Sequence, residues 1–98
     1  MTNNQRSYLR RLAHPLKPTA MIGKHGLTES IATKIDQELD AHELIKLRFL
    51  DFKDQRRELT ETIVAETQST LVALIGNVAI LFRSHRDPEQ RRIMLPVE

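Results

Sequence analysis

The 98-residue sequence contains no cysteine, no tryptophan, three glycines and only four aromatic residues. Without cysteine, disulfide scaffolds, thiolate metal sites and cysteine nucleophiles are all excluded. The longest apolar stretch, Leu71–Phe82, is interrupted by Gly76-Asn77 and is too short to cross a bilayer. The first twenty residues also lack the apolar centre of a secretory signal. We therefore expect a single domain over residues 1–98, cytoplasmic and not associated with a membrane.

Acidic residues are missing from the first part of the chain. Residues 1–28 contain five basic residues and carry +5, whereas residues 29–66 carry −4 and residues 67–98 carry +1. The net charge of +2 therefore conceals a polarised molecule. Such a basic segment favours phosphate-bearing partners. A solvated helix face would carry the same charges, so charge alone does not decide between these interpretations.

The hydrophobic pattern predicts seven elements in the order helix, strand, helix, strand, helix, strand, strand. Asn3 or Asn4 is expected to cap the first helix, and Thr28 the second. The third helix is expected to begin at Asp54. Strands are expected at Thr19–Ile22, Leu44–Leu50, Leu71–Ile75 and Val78–Phe82. The third strand is continuously apolar, as central strands are, and Gly76-Asn77 is typical of a hairpin turn. The predicted fold class is α/β: one domain with three helices and a mixed four-stranded sheet.

The expected core consists of apolar residues that recur at helical or strand spacing. These are Leu12, Ile22, Ile31, Ile35, Leu39, Ile45, Leu47, Phe49, Leu59, Ile63, Leu74, Ile80 and Phe82. Phe52 could be buried or exposed, and Ile93–Leu95 could either extend the sheet or simply pack against it. With Phe49 and Phe82 assigned to the core, too few aromatic side chains remain for a base-stacking platform.

No set of residues points to catalysis. The four histidines are scattered, and no two of them have the i,i+4 spacing of a helical metal site. No serine lies in a nucleophile-elbow motif. We therefore expect a protein without enzymatic activity, cofactor, metal or small-molecule substrate.

The motif Gly23-Lys24-His25-Gly26 has the most informative context, because it follows an apolar strand and precedes a capped helix. Glycines permit a sharp turn and the close approach of another backbone. The helix N-terminus offers N–H groups to an anion, and Lys24 adds a positive charge. KH domains use a GXXG loop in this way to hold a nucleic-acid backbone. A turn that needs glycine for its geometry alone would leave the same pattern, so both interpretations remain open.

Several segments together resemble one family. They are Gln5-Arg6, Tyr8–His14, Leu16–Pro18, Ile22–Thr28, His42–Arg48, Ile75-Gly76, Leu81–Arg83 and Leu95-Pro96. Over nearly the whole chain, they resemble the CRM domain, named for chloroplast RNA splicing and ribosome maturation. A lone domain of this length is similar to the bacterial, YhbY-type members. The resemblance implies a fold like that of the C-terminal domain of translation initiation factor three, with a KH-like GxxG loop.

The resemblance also implies an RNA-binding protein that associates with ribosomal RNA in precursors of the large (50S) subunit and assists ribosome assembly. We expect a monomer. The residues expected to contact RNA are Gly23, Lys24, His25, Gly26, Arg6, Arg10, Arg11, Lys17, Lys46 and Arg48. The alternative function is a protein-binding adaptor whose basic face meets an acidic partner.

Overall fold

The order of helices and strands is the predicted one. A computed structural model describes residues 1–98, with α1 at Asn3–Ala13, β1 at Ala20–Ile22, α2 at Glu29–His42, β2 at Leu44–Phe49, α3 at Arg56–Thr67, β3 at Thr70–Ile75 and β4 at Val78–Phe82. Short 3₁₀ turns occur at Lys53–Gln55 and Pro88–Gln90. None of the helices combines the length and the apolar character that a membrane span requires.

The first two helices are each capped by a threonine whose hydroxyl accepts a backbone hydrogen bond. Thr28 caps α2 as predicted, its Oγ1 accepting from the Ile31 N–H at 3.3 Å. The prediction of Asn3 or Asn4 as the cap of α1 is wrong, because the cap is Thr2. Thr2 Oγ1 accepts from the Gln5 N–H at 3.1 Å, and Gln5 Oε1 accepts from the Thr2 N–H at 2.9 Å. This reciprocal capping box satisfies two backbone donors, more than a lone asparagine would.

The predicted start of the third helix at Asp54 is also wrong. Asp54 lies in the 3₁₀ turn Lys53–Gln55, and α3 begins at Arg56 without a side-chain cap. Phe52 precedes this turn in the left-handed region, with φ of 62°. The chain therefore bends sharply between β2 and α3 before regular helical geometry can begin.

The four strands form one mixed sheet in the order β1-β2-β4-β3. β1 pairs parallel with β2, while β4 pairs antiparallel with both β2 and β3. The prediction that Leu71–Ile75 is a central strand is wrong, because β4 inserts beside β2 and leaves β3 at the edge. β3 is nevertheless apolar on both sides, since Leu71 and Leu74 pack towards the larger core cluster and Val72 belongs to the smaller one.

Both faces of the sheet carry apolar clusters. Ile45, Leu47 and Phe49 point from β2 into the larger cluster, together with Ile35 of α2 and Ile63 of α3. The opposite face is partly covered by α1, and its cluster consists of Leu9, Ala13, Leu44, Val72, Ile80 and Phe82. Most of the predicted core is buried, and Ile31, Leu59 and Leu74 are partly buried against it.

The assignment of Leu12 to the core is wrong, because its side chain is 37% exposed. The inward face of α1 is instead formed by Leu9 and Ala13, four residues apart, both fully buried. The C-terminal segment packs against the sheet and does not extend it. Ile93 and Leu95 form no strand and contact the smaller cluster.

Two charged residues hold together the end of the sheet where β2 begins and β4 ends. The Arg83 guanidinium donates to Asp36 at 2.7 Å, to Asp40 at 2.9 Å and to the Thr67 carbonyl at 2.7 Å. Glu43 is buried, and its carboxylate accepts backbone N–H bonds from His85 at 2.9 Å, Arg92 at 2.8 Å and Ile93 at 3.1 Å. Glu43 therefore anchors the C-terminal segment.

Replacing Phe49 by Ala should lower the free energy of unfolding by about 3–5 kcal/mol, since the ring is 1% exposed and its loss leaves a cavity. The matched control is the neighbouring Leu50→Ala, where the side chain is 61% exposed. That change should alter stability by no more than about 0.5 kcal/mol. Urea unfolding measures both values, and a loss below about 1 kcal/mol for Phe49→Ala would contradict the assigned face of β2.

Glu43 should make the fold sensitive to acid. Burial raises the pKa of Glu43, but the three backbone N–H bonds and the nearby His85 outweigh burial and hold the pKa below its ordinary value. In the unfolded chain the pKa of a glutamate is about 4.3. The carboxylate therefore stabilises the fold at neutral pH, and this stabilisation is lost as the pH falls through the lowered folded-state pKa.

We expect Glu43→Gln to cost about 1–3 kcal/mol at pH 7, because the amide NH₂ must face a backbone donor. The variant should also lose less stability than the wild type between pH 6 and pH 3. The control is Glu66→Gln, at an exposed position of α3, which should leave the pH dependence unchanged. An equally steep acid loss in Glu43→Gln and wild type would show that another group is responsible.

Candidate nucleic-acid interface

Three connections meet at one end of the sheet, which we call the loop end. They are the Gly23–Gly26 turn after β1, the segment 50–55 after β2 and the Gly76-Asn77 turn between β3 and β4. The Leu50 N–H donates to the Ile22 carbonyl at 2.8 Å, and the Phe49 N–H donates to the Asn77 carbonyl at 2.8 Å. These bonds continue the sheet register into the loops and hold the three connections side by side.

Gly23–Gly26 forms a tight four-residue turn that exposes its two central side chains. The Gly26 N–H donates to the Gly23 carbonyl at 2.9 Å, which closes the turn. Lys24 and His25 occupy the corner positions and are exposed. The predicted context is confirmed, since the turn joins β1 directly to the capped start of α2. The loop thus presents one cation and one imidazole to solvent.

Phe52 supports this turn from below. Gly26 is buried with φ of +67°, and a Cβ atom added there would lie 3.7 Å from Phe52 Cε2. Phe52 is only partly exposed, so the side chain left undecided by sequence packs beneath the loop. Gly23 differs, because a Cβ added there would meet nothing within 4 Å. One glycine is therefore required by the turn, and the other leaves open space above the backbone.

A concave groove lies between α1 and the sheet, and we call it the α1 groove. Its volume is about 660 Å³, and it is lined by Ser7, Arg10, Arg11, His14, Lys46, Ile75, Val78 and Ile80. The wall contributed by α1 is polar and basic, while the floor contributed by β3 and β4 is aliphatic. The lining includes three cations and no acidic residue. Such a groove attracts anions by its field.

Lys46 holds the C-terminal end of α1 against the sheet. Its Nζ donates to the carbonyls of His14 and Leu16, both at 3.0 Å. These carbonyls follow the last turn of α1, where helical carbonyl groups lack partners. Because of this contact, the positive charge of Lys46 has a defined position inside the α1 groove.

Arg48 links the α1 groove with the GxxG turn. It lies two residues after Lys46 on β2 and therefore on the same sheet face. Its partner on β1 is Met21, whose side chain is 50% exposed and which lies two residues before Gly23. Arg48 itself is exposed. The strand register thus places Arg48 opposite Val78 of the groove floor and beside the strand that leads into the GxxG turn.

Two of the predicted contact residues do not line the α1 groove. Arg6 is partly buried and donates to the carbonyl of Leu71 and, at 3.4 Å, to that of Val72. It therefore covers the edge of β3. Lys17 is exposed beside a smaller pocket with Leu12 and Leu16, on the connection from α1 to β1. The structure brings Arg10, Arg11, Lys46 and Arg48 together, and it leaves Arg6 and Lys17 separate.

Sequence reasoning missed part of the groove. Ser7 and His14 had a detectable signal, because with Arg10 and Arg11 they recur at spacings of three and four along one helix face. The sequence gives no signal for Ile75 and Val78, since the same aliphatic pattern is typical of a buried strand. Their exposure follows from α1 covering only the part of the sheet near Leu9 and Ala13.

The strand, GxxG turn and capped helix define a small α/β domain whose turn exposes Lys24 and His25. A family model described as the CRS1 / YhbY (CRM) domain matches residues 1–83. The chain belongs to this family, as the resemblance in its sequence predicted.

Relatives match over almost the whole chain. A Haemophilus influenzae protein named "RNA-binding protein" is 35% identical over 97 residues, covering 98% of this chain and 95% of its own. A Bacillus subtilis protein named "Probable RNA-binding protein YqeI" is 33% identical, covering 98% of this chain and 99% of its own. The solution structure of the Staphylococcus aureus hypothetical protein SAV1595 superposes with a TM-score of 0.79 at 38% identity, covering 98% of this chain and 99% of that one.

The two glycines of the turn should respond differently to alanine. Gly26→Ala should cost about 1–2 kcal/mol, because φ of +67° places a Cβ too close to the following carbonyl. Gly23→Ala should change stability by no more than about 0.5 kcal/mol, since its Cβ meets nothing within 4 Å. Thermal and urea unfolding of both variants provide the comparison. Equal losses of stability in the two variants would contradict this turn geometry.

Proposed function

We propose that this protein binds RNA without catalysing a reaction, and that it holds the phosphate backbone at the loop end of its sheet. The observation that carries the proposal is a set of exposed cations: Arg10 and Arg11 in the α1 groove, Arg48 opposite Val78 of the groove floor, and Lys24 in the turn that follows β1. Cationic groups on such a surface neutralise phosphates and release counterions, which supplies sequence-independent affinity. The relatives from Haemophilus influenzae and Bacillus subtilis carry RNA-binding names, which supports RNA as the partner.

The GxxG turn is proposed to hold phosphates directly. Lys24 and His25 project from its corners, and the space above Gly23 is open to a ligand backbone. Arg10, Arg11 and Lys46 extend the contact along the α1 groove. Arg6 and Lys17 would contribute at longer range, because neither lines the α1 groove.

The RNA is proposed to be ribosomal RNA in precursors of the large subunit, bound by a cytoplasmic monomer that assists assembly. The family membership supports this assignment, since the bacterial YhbY-type members are associated with such precursors. Crosslinking in cells, followed by sequencing of the attached RNA, tests it. We expect enrichment of large-subunit ribosomal RNA. Enrichment of messenger or transfer RNA instead would overturn the ribosomal assignment while leaving RNA binding intact.

The adaptor alternative predicts a different dependence on ribonuclease. If the protein binds RNA, gently purified samples should show excess nucleic-acid absorbance, and ribonuclease should remove this excess. A salt-sensitive protein partner that survives ribonuclease would favour the adaptor.

Replacing both Lys24 and His25 by Asp should reduce RNA affinity about tenfold or more with little change in melting temperature. Both side chains are exposed and both glycines are retained, so the turn should survive, while the carboxylates repel phosphate. The slope of log affinity against log salt should also become shallower, by roughly 0.7–0.9 for each phosphate that the variant no longer neutralises. Fluorescence anisotropy over a salt series measures both effects.

A control with the same charge change is available at the opposite end of the sheet. Arg86→Asp with Gln90→Asp makes the net charge more negative by the same amount, at exposed positions. Both follow Arg83, where β4 has ended. This variant should retain affinity within about two- to threefold, through long-range field effects alone. Equal losses in the two variants would mean that net charge, and not the GxxG turn, determines binding.

A further inference from the structure

We propose that the α1 groove receives an unpaired nucleobase, so that the protein selects single-stranded over double-stranded RNA. This inference rests on the proposed function, and it assigns to the groove a role that phosphate binding does not explain. Cationic walls alone would suffice for phosphates. The aliphatic floor of the same groove is the feature that requires a different ligand group.

The floor is an exposed apolar surface on two adjacent strands. Ile75 of β3 lies directly opposite Val78 of β4, so both side chains point to the same face. Ile75 is 49% exposed and Val78 is partly exposed. Ile80, two residues further along β4, is buried and closes the floor below α1. These aliphatic side chains offer a ligand an apolar contact next to the cations of the groove.

The rim matches the other parts of a nucleotide. Arg10, Arg11 and Lys46 surround the floor, and no acidic residue lines the groove. A base resting on Ile75 and Val78 would leave its phosphates within reach of these cations. Ser7 and His14 supply a hydroxyl and an imidazole that can form hydrogen bonds with base edges. A volume of about 660 Å³ is of the size that small organic ligands occupy.

Only unpaired bases can reach the α1 groove. In an A-form duplex the bases are stacked and paired, so none can enter a pocket beside a helix wall. Unpaired bases in loops and single strands can be turned outward and buried against protein side chains. The groove therefore favours single strands, bulges or loops, and the GxxG turn at the same end of the sheet holds the adjoining phosphates.

The test removes the apolar floor without altering charge. Ile75→Thr with Val78→Thr retains β-branched residues suited to strands but places hydroxyls under the base. The matched control, Met94→Thr with Val97→Thr, changes side chains that are 77% and 93% exposed in the C-terminal segment, outside the groove. The probes are a single-stranded oligoribonucleotide, the same strand with abasic positions, and a duplex of equal phosphate number, with affinities measured by fluorescence anisotropy at one salt concentration.

The wild type and the control should bind the single strand roughly five- to tenfold more tightly than the abasic strand, a difference of about 1–1.4 kcal/mol. The floor variant should lose this preference while its salt dependence stays unchanged. Melting temperatures verify folding, and Ile75→Thr alone provides a milder substitution if the double variant unfolds.

Equal wild-type affinity for the abasic strand or the duplex would overturn the base pocket while leaving phosphate binding intact. A preference that persists in the folded floor variant would also overturn it. Absence of wild-type binding to all three RNA probes would instead contradict the proposed function itself.

Discussion

The parallel pairing of β1 with the last residues of β2 determines where the GxxG turn lies relative to Arg48. Because Ile22 is paired with Phe49 and Met21 with Arg48, the turn that follows β1 emerges beside the end of β2. The antiparallel pairing of β4 with β2 then brings the Gly76-Asn77 turn to the same place. A shift of one residue between β1 and β2 would move Arg48 away from Met21 and turn the core side chains of β1 to the opposite face. The basic surface thus depends on the same register that builds the core.

The basic residues of the chain divide into those that stabilise the fold and those that remain available to a ligand. Arg6 covers carbonyls at the edge of β3, and Arg83 joins α2 to the end of α3. Lys46 has both roles, since it holds the C-terminal end of α1 and lies in the groove. An excess of positive charge in a sequence is therefore a poor measure of binding surface. Arg10, Arg11 and Lys24 are among the exposed cations that the fold leaves available to a ligand.

Sequence patterns predicted the element order, the hairpin and the context of the GxxG turn, because each depends on contacts between near neighbours. They failed where distant residues decide the outcome. The apolar run at Leu71–Ile75 has the composition of a central strand, yet the insertion of β4 beside β2 places it at an edge. Leu12 has the spacing of a core residue, but the position of α1 on the sheet leaves it at the rim. The aliphatic floor of the groove could not be predicted from the sequence for the same reason, because its exposure depends on where α1 lies on the sheet.

The most direct test of RNA binding at the loop end is an NMR titration of the ¹⁵N-labelled protein with a short single-stranded RNA. The largest chemical-shift changes should fall on Lys24–Gly26, the C-terminal half of α1, Arg48 and the Ile75–Val78 turn region. The Arg83–Arg91 segment at the opposite end of the sheet should change little. Changes concentrated in that segment, or spread evenly over all basic residues, would contradict the claim that the loop end of the sheet is where RNA binds.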